Sequence, residues 1–277
     1  MANYTAQDVK RLREETDAPM MECKNALEQA DGDFDKAKQI LRESGKAAAG
    51  KRAGRTTSAG VVAMAFHHDH HAVGAVVLES ETDFVARNDS FVALAQELAE
   101  IFLHNDPGSD PLAIKHGDKT VGEMIEGAVA TIRENIRISK AVHLKSDNQL
   151  VGYVHHDRTK GALVEITGDA DVRNTGRSIA IQVVSVPETQ VVSKDQLSQE
   201  MLDREIETEK QRAINEGKPE AMAENIAKGR VNKEFVNKAV LLEQLFYADQ
   251  GKTVKAFLGE NAKGAEVKSY VYLAVGL

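Results

Sequence analysis

The sequence predicts an α+β protein, and three observations carry the prediction. Apolar residues recur at helical spacing in three short stretches before position 45. From Val61 the pattern switches to the two-residue alternation of strands. A strand–strand–helix order then occurs twice, the second time followed by a long, charged helical stretch. The 277 residues are 42% hydrophobic and 28% charged, which suits ordinary cores under a well-solvated surface in one large or two to three small domains.

Residues 1–45 read as a module of three helices. Thr5 and Asp8, three positions apart, form a capping-box start, and Val9 and Leu12 share the face that follows. Thr16-Asp17-Ala18-Pro19 breaks the chain, and Met20, Cys23, Leu27 and Ala30 then fall at helical spacing. Asp31-Gly32-Asp33 is the next turn, with Asp33 as N-cap for the stripe Phe34, Ala37, Ile40, Leu41; Gly45 stands where a C-cap glycine is expected. So small a bundle buries little surface and suits an appended binding module. Residues 46–60, small and basic and then polar, read as a linker. Its four positive charges could touch RNA, but the run is short and lacks a stacking aromatic, so a solvated tether is expected.

Residues 61–139 form the first expected subdomain of the core. Strands at 61–66 and 73–78 flank a turn at 67–71, and a corner at 80–88 leads to a strongly amphipathic helix carrying Phe91, Leu94, Ala95, Leu98, Ile101 and Phe102. After a loop, Thr120 and Glu123 form a second capping box opening a helix through Val121, Ile125, Val129 and Ile132. Residues 140–277 form the second subdomain. Val142 and Leu144 lie on one strand, 150–154 and 162–166 on two more, and a helix at 175–184 is ended by Pro187. At an offset of 87, Gly74 matches Gly161, Val77 matches Val164 and Val85 matches Val172, a weak sign of duplication. Thr82-Asp83-Phe84 in the first copy faces Asp169-Ala170-Asp171 in the second, so a duplicated fold would not itself require the aromatic. A polar helical hairpin is expected at 193–247, punctuated by Gly217-Lys218-Pro219 with Pro219 in the first turn of the second helix. A C-terminal module at 252–277 holds a short helix near 253–258 and a strand with Val267, Val271, Leu273 and Val275 on one face.

Composition narrows the function. Thirty-five Lys and Arg against 43 Asp and Glu give a net charge of −8, a poor basis for direct nucleic-acid binding and a better one for a protein partner. The single cysteine, Cys23, rules out a disulfide framework and lies on an apolar helical face, so it reads as core rather than nucleophile. Met1-Ala2-Asn3-Tyr4 lacks a signal or transit pattern and no apolar run approaches the ~18–20 residues of a spanning helix, so a cytosolic protein that leaves membranes alone is expected. Phosphate-binding, nucleophile-elbow and dinucleotide glycine motifs are all missing, so neither an enzyme nor a cofactor is expected.

Two features stand out. His67-His68-Asp69-His70-His71 has the side chains that suit zinc or nickel, but strand alternation sends neighbours to opposite faces and a hairpin turn is solvated, so no metal site is expected. In the corner Thr82-Asp83-Phe84-Val85-Ala86-Arg87-Asn88, Phe84 precedes the helical stripe beside a polar pair. The residues leave two readings open: a core anchor beneath the corner, or an exposed anchor for a partner's pocket.

That corner sequence resembles the signature of the elongation factor Ts family. Met20-Met21-Glu22-Cys23-Lys24-Asn25-Ala26-Leu27 is similar to the family's other signature. Glu134-Asn135-Ile136-Arg137-Ile138, Tyr153-Val154-His155-His156 and Lys252-Thr253-Val254 resemble further family positions, in order along the whole chain. Asp17 departs from the glycine often found there in relatives, and the His-rich turn and the hairpin region are less family-like. The resemblance implies a ubiquitin-associated-like N-terminal module and a guanine-nucleotide exchange factor whose partner is elongation factor Tu. It implies partner contacts at Leu12, Met20 and Met21, of which one methionine is expected in the core and one outside. It also implies a wedge at Thr82, Asp83, Phe84 and Val85 that dislocates the partner's magnesium, a neighbouring contact at Ile132, Glu134 and Asn135, and a contact to a different partner domain at His155. Family members differ in whether the hairpin forms a homodimer. Competing readings are an RNA-associated structural protein, disfavoured by the acidic charge, a His-rich metal-handling protein, and a ubiquitin-like adaptor, disfavoured by the distant second signature.

Overall fold

A computed structural model describes residues 3–16 and 18–277; the sequence readings at Met1, Ala2 and Asp17 lie outside them. The chain has the mixed α+β composition expected and divides into two compact units. The first is the chain through Lys145 with His156–Thr159 and Leu273–Leu277, and the second is Ser146–His155 with Lys160–Tyr272. No helix among the described residues is long and apolar enough to cross a membrane.

The first unit begins with α1 (Ala6–Thr16), α2 (Met20–Gln29) and α3 (Phe34–Arg52). It continues through β1 (Ala59–Phe66), β2 (Ala72–Ser80), α4 (Asp83–Ala86), α5 (Asp89–His104), the short strands β3 (Lys115–His116) and β4 (Lys119–Thr120), α6 (Val121–Ile132) and β5 (Ile136–Lys145). Thr5 and Asp8 bond reciprocally at the start of α1, with the Thr5 amide donating to the Asp8 carboxylate at 2.8 Å and the Asp8 amide to the Thr5 hydroxyl at 3.2 Å. Gly32, at φ 85°, makes the left-handed turn between α2 and α3, where its amide caps Leu27 O at 2.9 Å. Val9, Leu12, Cys23, Ala26, Leu27 and Ala37 close the module's core. Cys23 is inside it, its thiol donating to Ala18 O at 3.4 Å and pushed up in pKa by burial, as expected of an inert core residue.

Gly45 does not end the third helix. Helix α3 runs on to Arg52 and is capped at Ala53, so residues 46–52 of the expected linker are helical. The alanines at 47–49 favour continuation, and Gly45 is instead buried where α3 meets α6, with room to spare: a Cβ built on it would stand an ordinary 3.4 Å from Ala130.

β1, β2 and β5 form an antiparallel sheet with β2 in the centre; Val62 pairs with Val77 and Ala75 with Val142. Helix α5 lies against it with Phe91, Leu98 and Phe102 buried in the core. At Gly74 the helix comes so close that an added Cβ would meet Leu103 N at 2.1 Å and Ala99 O at 2.2 Å. The expected Thr120–Glu123 capping box is present at the start of α6.

The second unit contains β6 (Gln149–Val154), β7 (Lys160–Ile166), α7 (Arg173–Ser185), α8 (Gln199–Asn215), α9 (Glu220–Arg230), α10 (Val236–Ala239), β8 (Leu245–Phe246), β9 (Asp249–Thr253), α11 (Val254–Asn261) and all but the last two residues of β10 (Val267–Ala274). Its sheet has the order β10-β7-β6, so β7 is central as β2 is in the first unit, and each central strand is followed by a corner and a packed helix. Val77 and Val164, matched at the offset of 87, are both buried on these central strands. The close helix–strand approach is solved differently in the two copies. The glycine is on the strand in the first, and on the helix in the second, where a Cβ on Gly176 would lie 3.1 Å from Val151. Gln182 and Gln244 are buried and bond to each other at 2.9 Å, and Gln182 also accepts from the Tyr247 amide at 2.7 Å. Helices α8 and α9 form the hairpin, with Gly217 at φ 81° ending the first helix and Pro219 standing at the N-cap of the second rather than inside its first turn. Arg230 reaches across to Glu216 at 2.6 Å.

Candidate functional site

The corner after β2 is mounted from two sides. Thr82 caps the single-turn helix α4, its hydroxyl accepting from the Val85 amide at 3.4 Å. The Glu134 carboxylate accepts twice from Thr82, from its amide at 3.0 Å and from its hydroxyl at 2.6 Å. One residue earlier, the Glu81 carboxylate accepts from the Asn135 amide at 2.6 Å and from Arg55 at 3.3 Å. The two acidic residues thus stitch 81–82 to 134–135 in both directions, and bonds to carboxylates are stronger than neutral ones.

The chain reaches this position because α6 ends at Arg133 in the left-handed conformation, φ 67°, which a non-glycine residue adopts at a cost of roughly 1 kcal/mol. Its surroundings hold it there. The Arg133 amide donates to Val129 O at 2.9 Å, its carbonyl accepts from Arg52 at 3.0 Å, and its guanidinium pairs with Glu22 at 2.8 Å. The same residue therefore orients the corner's supports and ties α2 to α6.

Within α4, Val85 and Ala86 pack on the core of the first unit. Asp83 and Phe84 face outward. Asp83 pairs with Arg87 at 3.0 Å across one exposed helical turn, a contact worth only ~0.3–0.5 kcal/mol. Phe84 is 84% exposed, the most exposed of the large hydrophobic side chains among the described residues. Of the two readings the residues left open, the core anchor is excluded: the ring stands in solvent on a backbone fixed at Thr82, Val85 and Ala86.

The other singled-out residues fall into different environments. Ile132 is half-buried against the same core at the end of α6, and Asn135 is buried, its side chain donating to Arg55 O at 2.7 Å. Thr82, Asp83, Phe84, Val85, Glu134 and Asn135 therefore come together, with Asn135 acting from beneath. Met20 and Met21 are both exposed, at 44% and 61%, which corrects the expectation that one would turn inward. Leu12 lies in the opposite environment. At 0% exposure it fills the module's core in the unbound chain. His155 belongs to the second unit, half-buried, with its Nδ1 2.9 Å from the Tyr153 hydroxyl. Sequence reasoning missed Glu81 and Arg133, because a carboxylate beside a corner and a left-handed arginine at a helix end leave no periodic signal.

The comparisons with known proteins agree with one another. The family model described as Elongation factor TS matches residues 81–277, which begin at the clamp residue Glu81. Proteins named Elongation factor Ts are similar over nearly the whole chain. That of Clostridioides difficile strain 630 is 37% identical over 97% of this chain and 90% of its own length. That of Chloroherpeton thalassium is 39% identical over 95% and 93%, and that of Chlorobaculum tepidum 36% identical over the full length of both. These matches define a translation elongation factor, a protein of protein biosynthesis. Within that class the chain belongs to the elongation factor Ts family.

Proposed function

We propose that this chain is a guanine-nucleotide exchange factor for elongation factor Tu, acting in the cytoplasm. It has no bond-making chemistry of its own and works by binding nucleotide-free Tu more tightly than Tu bound to GDP. By reciprocity it then weakens GDP binding by the same factor. The observation that carries the reading is Phe84, an exposed aromatic on a backbone clamped by Glu81 and Glu134. Because the backbone that carries the ring is already fixed, insertion orders only the side chain, and more of what its burial gains is available for coupling.

In this reading Phe84 enters the partner beside its magnesium site, Asp83 and Thr82 fix the placement, and Val85 backs the ring. Weakening GDP ~1000-fold takes about 4 kcal/mol of differential binding. Burying one Phe side chain supplies ~1.5–3 kcal/mol, so the wedge needs help. Met20 and Met21, exposed and adaptable, supply a docking surface on the three-helix module. Ile132 and Glu134 extend the contact beside the wedge, and His155 contributes from the second unit.

Release of a fluorescent GDP analogue from elongation factor Tu tests the reading. The chain is expected to accelerate release strongly and Phe84→Ala to lose at least tenfold of that acceleration. Absence of acceleration by the unaltered chain refutes the function; equal acceleration by both refutes the wedge alone.

A further inference from the structure

The histidine-rich turn between β1 and β2 takes no part in the exchange reading. It stands at the end of β2 away from the corner, and the nine residues of that strand span roughly 30 Å at ~3.3 Å each. We propose that this turn is a binding site for a first-row divalent transition-metal cation of the zinc or nickel type, with His67, His68 and Asp69 as its protein ligands.

Strand alternation argues against such a site only while the chain is extended, and here it is not. The His67 amide donates to Ala72 O and the His70 amide to His67 O, both at 2.9 Å, and His70 adopts φ 65°. The backbone therefore reverses over 67–70, and neighbouring side chains that a strand would separate turn to one side. The His67 and His68 ring centroids are 4.1 Å apart, and one ligand atom from each of His67, His68 and Asp69 lies within 4.8 Å of the other two. Among the described residues no other group of three metal-ligating side chains converges in this way.

The contraction required is small. A tetrahedral ion bound at ~2.0–2.2 Å keeps its donors roughly 3.3–3.6 Å apart. Half-buried and exposed side chains reach that spacing by rotation, without moving the turn. The turn is also partly organised beforehand. Asp69 Oδ1 lies 2.7 Å from His67 Nδ1 and accepts the His71 amide at 2.9 Å, so carboxylate and imidazole already face each other at hydrogen-bonding distance. When the cation takes the Nδ1 position the ring proton moves to Nε2, the other tautomer of the neutral imidazole, so the ring ligates without losing a proton. Two imidazoles and one carboxylate are a borderline donor set that favours zinc, nickel or copper over magnesium or calcium, and three protein ligands leave one tetrahedral position for water. The His70 ring is stacked on Phe66 with 5.2 Å between centroids, which turns it toward the strand.

The test is calorimetric titration of the untagged, chelator-stripped full chain with zinc chloride at neutral pH. One ion per chain is expected. His67→Ala and His68→Ala should each weaken binding at least tenfold, His104→Ala should leave it unchanged, and magnesium chloride should give no binding. Without metal the variants should melt with the unaltered chain. As a readout needing no substitution, one equivalent of zinc should shift the imidazole NMR signals of His67 and His68 and leave those of His104 and His143 in place. Failure of the unaltered chain to bind one ion overturns the proposal. So does unchanged affinity in the His67→Ala/His68→Ala double variant, or a shift at the other histidines instead. Exchange on elongation factor Tu should be the same with and without zinc, so the two readings fail separately.

Discussion

The Glu134 carboxylate accepts both the amide and the hydroxyl of Thr82, at 3.0 Å and 2.6 Å, and so fixes the residue that caps the helix bearing Phe84. Glu134→Ala leaves those donors to water and should cost ~1–2 kcal/mol of stability. If the wedge acts through a fixed mount, the same variant should slow GDP release several-fold with Phe84 intact, and Glu134→Gln, which keeps an acceptor, should fall between. Release as fast as that of the unaltered chain would show that the clamp serves folding only.

Phe84 itself should contribute nothing to the fold. At 84% exposure it has almost no packing to lose, so Phe84→Ser should change unfolding free energy by less than ~0.5 kcal/mol. A urea melt decides it. A large loss of stability would mean that the ring packs on the chain in solution, and its reading as a presented anchor would fall.

The three-helix module separates core from surface sharply. Leu12→Ala opens a cavity in a closed cluster and should destabilise the module by ~2–5 kcal/mol, visible as faster amide exchange in α1 and α2. Met20→Ala and Met21→Ala should leave that exchange unaltered and weaken binding to elongation factor Tu. Comparable amide-exchange effects at all three positions would contradict the exposure of the methionines.

Glu79 makes part of the first unit's stability pH-dependent. Its side chain is fully buried and accepts from Thr57 at 2.8 Å, from the Arg137 guanidinium at 2.7 Å and 2.8 Å, and from the Gly276 amide at 3.1 Å. Burial is the largest influence and pushes its pKa up, but the donors together outweigh it and hold the carboxyl below the ordinary 4.5. A depressed folded value means that the stabilisation is complete above the unfolded pKa and is lost as pH falls through the folded one. Glu79→Gln should therefore cost ~1–3 kcal/mol at neutral pH, with the gap to the unaltered chain narrowing below pH 4.5. Urea melts at several pH values check it; a gap that widened on acidification would reverse the assignment.

Two glycines should respond oppositely to alanine. Gly74→Ala drives a Cβ into the α5 backbone and should cost at least ~3 kcal/mol or abolish folding. Gly45→Ala meets Ala130 at an ordinary 3.4 Å inside a helix and should stabilise by up to ~1 kcal/mol. Thermal midpoints of the two variants moving in the same direction would refute this contrast.

The elements themselves were legible wherever a local rule operates. Thr120 with Glu123 announces a helix start from three residues, and alternation across 61–66 announces a strand, because both depend on short-range geometry. The end of α3 was not legible. Gly45 matches a C-cap locally, but it is buried against α6 beside Ala130, eighty-five residues on, a packing that no local pattern records. The candidate site divides in the same way. The corner and its helix cap could be read from Thr82 onward, but the identity of the clamp depends on Arg133 delivering Glu134 and Asn135 to residues more than fifty positions earlier.

The sequence by itself determined the α+β class, the main helices and strands and the family, because periodicity, capping and long signature motifs are properties of consecutive residues. Tertiary structure alone decided which apolar residues face out. Leu12 and Met20 lie on neighbouring helices of one small module, yet one is sealed in its core and the other stands in solvent. At the β1–β2 turn a backbone reversal gathers the side chains of His67, His68 and Asp69 that an extended chain would have parted. Burial and convergence depend on what packs against a side chain from elsewhere in the fold, and that is fixed only when the distant segments meet.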